Sequence, residues 1–437
     1  MNVTGRVPAA LVVLGLPGLL TPFPWVWLAV AVGVVGILTV LDWAAAAPVT
    51  ELRLARSGDR QVRFGGTATV TLRVTNRGPS AFHGTVRDAW VPSAGARPGH
   101  HEVRLDPDHA VDLVTELTPT RRGDRPAVRV TIRSYGPLRF GYRQTTRRQA
   151  DRMTPAWTLR VLPPFHSRRF LPEKLSRLRV VEGQVVTRGR GQGTEFDSLR
   201  EYVIGDDIRS IDWRATARAE HVVVKTWRPE RDRRVLCVLD TGRTSAVRIG
   251  DEPRLDAAID AALLLTTLAA HAGDRVDLLA VDTEVRASVS TAGHRTLLPK
   301  LVEAMATLEP VLSETDFGRV VAEVMALSRR RALVVLFTTL EPGALGEGLL
   351  PVLPQLLARH RVMVAAVRDP TLDALAAGRG SLPAIYTAAA AERATAARER
   401  VRAALTRYGV HVVEASPAGF APAVADAYLD LKAAGRL

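Results

Sequence analysis

Residues 234–244 read Arg-Val-Leu-Cys-Val-Leu-Asp-Thr-Gly-Arg-Thr, and residues 332–337 read Ala-Leu-Val-Val-Leu-Phe. Apolar runs of this length without alternation belong to strands covered on both faces, the pattern of a parallel sheet held between helices. Working outward, Arg275–Val281, Arg361–Val367 and Val410–Val413 read as further strands. Pro253–His271, Leu297–Met305, Phe317–Leu327, Thr387–Arg407 and Phe420–Ala433 carry helical spacing. Strand and helix therefore alternate over residues 234–437, and the expected fold there is α/β with a doubly wound parallel sheet.

Upstream the pattern changes twice. In residues 49–165, Thr67–Thr75, Gly84–Val91, Ala110–Leu117 and Ala127–Arg133 alternate with period two, and turn clusters separate them. They predict an all-β sandwich of immunoglobulin or fibronectin-III type without its disulfide. Residues 166–233 read as a charged connector, with Thr194 and Asp197 in a capping-box relation that opens a short helix. Residues 1–48 predict a transmembrane hairpin. Val7–Leu20 and Trp25–Leu41 are uncharged and apolar, and Pro22 and Pro24 break them into two spans. A cleaved signal peptide is the alternative, but a second span follows and the charged head is Arg6 alone.

The chain has 437 residues and a formal charge of +14. The charge is concentrated: residues 51–165 hold 20 basic and 10 acidic side chains, while residues 234–437 are neutral overall. The loop between the spans carries no Lys or Arg, so the positive-inside rule places both ends of the hairpin in the cytoplasm, at the cell membrane. The basic β-domain then lies beside the anionic inner leaflet. Nucleic-acid binding is not expected, because no aromatics interleave with the basic residues in a binding module.

Other classes fall away on composition. Cys237 is the one cysteine, which excludes a disulfide scaffold and a thiolate zinc site. It sits inside an apolar strand and reads as a small core residue. The four lysines, Lys174, Lys225, Lys300 and Lys432, follow no glycine, so there is no Walker A loop. His100-His101, the one histidine pair, reads as an exposed loop, and no Ser-His-Asp setting or nucleophile elbow is present. The expectation is a protein that is not an enzyme.

Two places could carry chemistry. Asp240 ends the first apolar strand, where α/β sheets bind ligands, and Thr244 follows four residues later. The other is the connector, where Glu195, Glu201, Asp206, Asp207 and Asp212 interleave with Arg200, Arg209, Arg214 and Arg218 around Phe196, Tyr202 and Trp213. Three readings compete there: an ion-pair network packing the connector onto the α/β domain, a docking surface for a partner protein, and a metal-dependent hydrolase site using the clustered aspartates. Gly189 to Gly193 is not a dinucleotide fingerprint, since Thr194 stands where the third glycine belongs.

The strand order and the Asp240 loop resemble the von Willebrand factor A domain and its metal-ion-dependent adhesion site. The resemblance matches Asp240 to the Asp of the Asp-x-Ser-x-Ser loop, Thr244 to the second Ser and Thr315 to the distant Thr. Gly242 replaces the first Ser, and Thr339, with Glu341 the nearest acid, stands where the distant Asp is expected. A Mg²⁺ ion at a degenerate site is what this resemblance implies.

The motif Gly191-x-Gly193-x-Glu195-Phe196, Gly205-Asp206-Asp207-x-Arg209, Ile211-Asp212-Trp213-x-Ala215-Thr216-Ala217-Arg218 resembles the family catalogued as domain of unknown function 58. Arg121-Arg122-Gly123 and Tyr135-Gly136-Pro137-Leu138 resemble its β-domain turns, and the Arg- and Ala-heavy composition is that of a high-GC bacterium such as an actinobacterium. The resemblance implies a membrane hairpin, a β-domain, a von Willebrand A-like domain and a MoxR-type AAA+ ATPase as partner. The function it implies is that of an adaptor presenting its A-like domain to that ATPase.

Overall fold

The computed structural model describes residues 2–188, 195–204, 206–219, 221–228, 233–290 and 294–436. The chain divides into two compact units, residues 1–162 and 163–437.

In the first unit, helix Arg6–Gly15 and a 3₁₀ turn over Leu16–Leu20 precede helix Pro24–Ala45. The second helix has 22 residues and is long and apolar enough to cross a bilayer. Its side chains are mostly exposed, Trp25 at 81% and Ile37 at 64% among them. Trp27 Nε1 donates to Leu14 O (2.7 Å) and ties the two helices together.

Two β-sheets follow. One contains Leu52–Gly58, Ala68–Asn76, Ala110–Leu117 and the short strand Ala96–Arg97. The other is built on Gly123–Tyr135, which pairs with Phe82–Trp90, Gly141–Gln144 and Thr158–Leu162. Along Ala68–Asn76 every second residue is buried. Leu72 and Val74 of one sheet thereby share a core with Val86, Val130 and Ile132 of the other. His101 is half-buried in strand His101–Leu105 rather than in an exposed loop.

The second unit is built on a six-stranded sheet in the order Val285–Ser290, Arg275–Val281, Arg234–Asp240, Leu333–Thr338, Arg361–Val367 and His411–Ala415. Five are parallel, and Val285–Ser290 is an antiparallel edge, which corrects the expectation of an all-parallel sheet. The edge strand buries one face only, so its residues alternate and it lacks the apolar run that marks the others. Leu236, Val238, Leu279 and Leu336 pack on one face against Val320, Val324 and Leu405. On the other, Phe337 meets Phe420 of helix Pro417–Ala433 edge-on. Cys237 is buried in the central strand, and burial pushes its thiol well up, away from reactivity.

Among its described residues the connector forms a helix and a strand pair. Helix Leu171–Arg188 joins helix Pro417–Ala433 through Lys174 and Arg177, which both bind Asp426. The helix expected from Thr194 is instead strand Glu195–Glu201, paired antiparallel with Val223–Arg228. Thr194 itself, with Gly189, Gly191 and Gly193, lies outside the described residues, as does Gly205.

Candidate functional site

Two places in the second unit gather the residues singled out in the sequence. The first is the carboxyl end of strand Arg234–Asp240. Asp240 is buried there. Its Oδ1 accepts from Thr315 Oγ1 (2.5 Å) and the Gly242 amide (2.9 Å), and its Oδ2 accepts from Thr338 Oγ1 (2.6 Å). Its main-chain oxygen accepts from Ser245 Oγ (2.6 Å). Burial pushes the carboxyl up, and the hydroxyl and amide donors oppose that push. Thr315 therefore reaches Asp240 as the resemblance implies, whereas the hydroxyl partner from the fourth strand is Thr338, which was not singled out.

Gly242 is explained by space. A Cβ there would stand 2.1 Å from Thr315 Oγ1 and 3.2 Å from Asp240 Oδ1. The hydroxyl that a Ser would supply at 242 is supplied by Thr315 from another loop.

The neighbouring strand end holds Asp282, also missed in the sequence. Thr241 Oγ1 donates to its Oδ2 (2.7 Å), Arg286 Nε and Nη2 donate to its two oxygens (2.7 and 3.0 Å), and the Thr283 and Glu284 amides complete the set. Burial opposes ionisation, but Arg286, Thr241 and the amides outweigh it and hold the carboxyl at about 2. On the other side, the buried Arg254 donates through Nη1 to Thr244 O (3.3 Å), Thr339 Oγ1 (3.3 Å) and Glu341 Oε1 (2.9 Å).

This donor set does not fit a divalent cation. Hard divalent ions take about six oxygens, several of them anionic. Asp282 is committed to Arg286, Glu341 to Arg254, and a guanidinium stands beside Thr244 and Thr339. Among the described residues no three acids, histidines or cysteines cluster with metal-site geometry.

The second place is the connector hairpin. Each of its turn aspartates serves its own stretch of chain. Asp206 accepts from Arg200 Nη2 (2.5 Å) and the Val203 amide (3.0 Å). Asp207 caps a 3₁₀ turn through the Arg209 amide (3.0 Å). Asp212 caps helix Trp213–Thr216 through the Arg214 and Ala215 amides and pairs with Lys225 (3.0 Å). The Arg200 hydrogen bond lowers the Asp206 carboxyl, and the Ala215 amide, followed by Lys225, lowers that of Asp212.

Of the expected ion pairs, Arg200–Asp206 is present among the described residues, and Asp212 pairs with Lys225. The aspartates also accept from local amides, Asp207 and Asp212 from those just after them and Asp206 from that of Val203. Arg209, Arg214 and Arg218 are exposed. So are Ile204 (96%), Trp213 (68%), Ile208 (67%) and Val203 (61%). Tyr202 is half-buried. Glu195 and Phe196 lie in the strand, with their side chains outside the description. The sequence signal for exposure was the placement of Val203, Ile204 and Ile208 between turn residues rather than at strand or helix spacing.

Residues 198–412 match the family model described as "Protein of unknown function DUF58". Uncharacterised proteins of Mycobacterium bovis and Mycobacterium tuberculosis are 26% identical over 150 residues, 34% of this chain and 47% of theirs. The chain thus spans about half the length of the curated relatives it matches. Among solved structures, a CARDB domain from Pyrococcus furiosus, in complex with di-metal ions, is 17% identical and covers 25% of this chain and 91% of its own, with a TM-score of 0.19. A cycloisomaltooligosaccharide glucanotransferase from Paenibacillus is 10% identical over 72% of this chain and 52% of its own, at 0.17. Scores of that size carry no argument about fold. Over residues 198–412, from the connector hairpin to the last strand of the sheet, the chain is similar to the DUF58 family, a family of unknown function.

Proposed function

We propose that this protein is a membrane-anchored adaptor whose connector hairpin docks a partner protein. The observation that carries this reading is the exposed apolar face of the connector. Its aspartates cap local turns, while Val203, Ile204, Ile208 and Trp213 face solvent among Arg209, Arg214 and Arg218. Trp and Arg are the usual anchors of protein interfaces. Such a face complements an apolar surface rimmed by carboxylates. The family resemblance makes a MoxR-type AAA+ ATPase the partner of choice.

The sheet is read as a von Willebrand A-like scaffold. Its strand order, the position of Asp240 and the Thr315 contact support that reading. Its strand-end cluster is closed and serves stability rather than metal-dependent adhesion.

The anchor is read as a hairpin with both ends on the cytoplasmic side. Asn2 and Val3 pair with Tyr142 and Gly141, and Asp42 binds the amides of Leu138, Phe140 and Gly141. The apolar stretch therefore leaves and re-enters at one turn of the β-domain. The hydrolase alternative gains nothing, because Asp206, Asp207 and Asp212 do not converge.

The test is affinity capture of the full chain from native membranes, followed by identification of co-purifying proteins. Recovery of an AAA+ ATPase that is lost with Ile204→Ser and Trp213→Ala supports the reading. A folded bait that recovers none, or variants that recover it equally, would overturn it.

A further inference from the structure

We propose that the end of the β-domain from which the apolar segment emerges binds the phosphodiester of an anionic membrane phospholipid, through Arg6, Arg104, Arg139 and Arg143. This rests on the membrane reading above and names the headgroup site within it.

Strand register brings these residues to one end of the sheet. Arg104 lies opposite His83, Gly84 opposite Ser134, Tyr135 opposite Tyr142, and Tyr142 opposite Asn2. The turn Pro137–Phe140 closes that end and receives both ends of the apolar segment. Thr4 Oγ1 donates to Arg139 O (2.6 Å), and Arg6 Nη1 reaches Leu138 O (3.4 Å). Arg143 donates to Trp43 O and Ala44 O (both 3.1 Å), the last carbonyls of the long helix, and stacks on the Trp43 ring at 4.7 Å.

The charge at this end is unbalanced. Arg104 Nε and Arg139 Nη2 converge on one atom, His83 Nε2, at 3.2 and 2.8 Å. Two guanidiniums on one imidazole nitrogen require that nitrogen to be an unprotonated acceptor. Burial, then Arg139 and Arg104, push the His83 pKa down, with Glu102 opposing them. Asp42, the acid at the helix end, gives its oxygens to three backbone amides (2.6, 2.7 and 2.9 Å).

Elsewhere in the same unit several arginines do pair with acids. Arg56 pairs with Asp88, Arg73 with Asp112, Arg129 with Asp151 and Arg160 with Asp124. Among the described residues, Arg6, Arg104, Arg139 and Arg143 have no carboxylate partner.

Guanidinium forks match phosphate geometry. A cluster at the root of a bilayer-length helix stands at headgroup depth, beside the half-exposed Leu138. That position selects a lipid phosphodiester over a soluble phosphate.

The full chain, purified in mild detergent, would be offered phosphatidylglycerol and phosphatidylcholine in equal amounts, and retained lipid read by native mass spectrometry. Phosphatidylglycerol should be retained preferentially, and each of Arg104→Gln and Arg139→Gln should lower its retention by about fivefold. Arg6→Gln, at an exposed side chain, keeps the test informative if the other variants lose their fold. Equal retention of the two lipids, unchanged retention by the variants, or full displacement by millimolar inorganic phosphate overturns the proposal. Alkaline extraction of native membranes separates the two readings. If the chain washes off, the anchoring reading fails. If it stays while lipid preference is missing, only the headgroup site fails.

Discussion

The strand-end cluster around Asp240 and the connector hairpin both looked like chemistry, and both use their carboxylates for structure. They differ in what surrounds the acids. At the strand end, Asp240 and Asp282 are buried, and each oxygen meets a hydroxyl, amide or guanidinium. At the connector the acids hold local turns, and the apolar side chains that a core would claim are left facing water. A closed polar cluster contributes stability and needs no partner. An open apolar face costs solvation and calls for something to cover it.

The largest expected effect tests the closure. Gly242→Ser should destabilise the chain by roughly 2–3 kcal/mol, because the new Cβ collides with the Thr315 hydroxyl, which Asp240 holds in place. Urea unfolding of the full chain in detergent would measure it. Adding Thr315→Ala should recover part of the loss, and a strictly additive double variant would show that the two sites do not meet.

Acid titration separates the two buried aspartates. The Asp282 carboxyl lies at about 2 against an ordinary 3.8. Its contribution is complete above the unfolded value and is lost as pH falls from there toward 2, on the order of 1–2 kcal/mol. Asp240 has the opposite sign. Its carboxyl is raised, so its contribution is full below 3.8 and declines as pH rises above it. Stability measured between pH 5 and 2 should flatten in Asp282→Asn. An unchanged slope would remove the Arg286 pair from the account.

On the connector side, Asp212→Ala should lower stability by less than the strand-end changes do, through loss of a helix cap and the Lys225 pair. Urea unfolding reads this loss too, and an unchanged midpoint would show that the cap carries no weight. The smallest effect belongs to the proposed docking face. Ile204→Ser and Trp213→Ala should stay within about 0.5 kcal/mol of the parent chain, since neither side chain is buried. A large loss there would mean that the face is core after all.

The parts legible in the sequence follow from burial on both faces. Val235–Leu239 and Leu333–Phe337 carry uninterrupted apolar runs because helices cover the sheet twice. The edge strand Val285–Ser290 has no such signature, because one covered face leaves only three partly buried positions in six. Glu195–Glu201 reads as a helix start because Thr194 and Asp197 stand in a capping-box relation, whereas pairing with Val223–Arg228 decides its conformation.

Residue types and their order in the chain were enough to determine the apolar amino-terminal segment, the alternating β-region, the α/β alternation and the position of Asp240 at a strand end. These depend on solvation and periodicity, which act locally. Only the tertiary structure decided that Thr338 and Thr315 share Asp240, that Arg254 stands where a cation was expected, and that Arg104 and Arg139 meet at His83. Those contacts join residues 21 to 98 positions apart, and local propensity carries no information about which distant side chain arrives at a given oxygen or nitrogen.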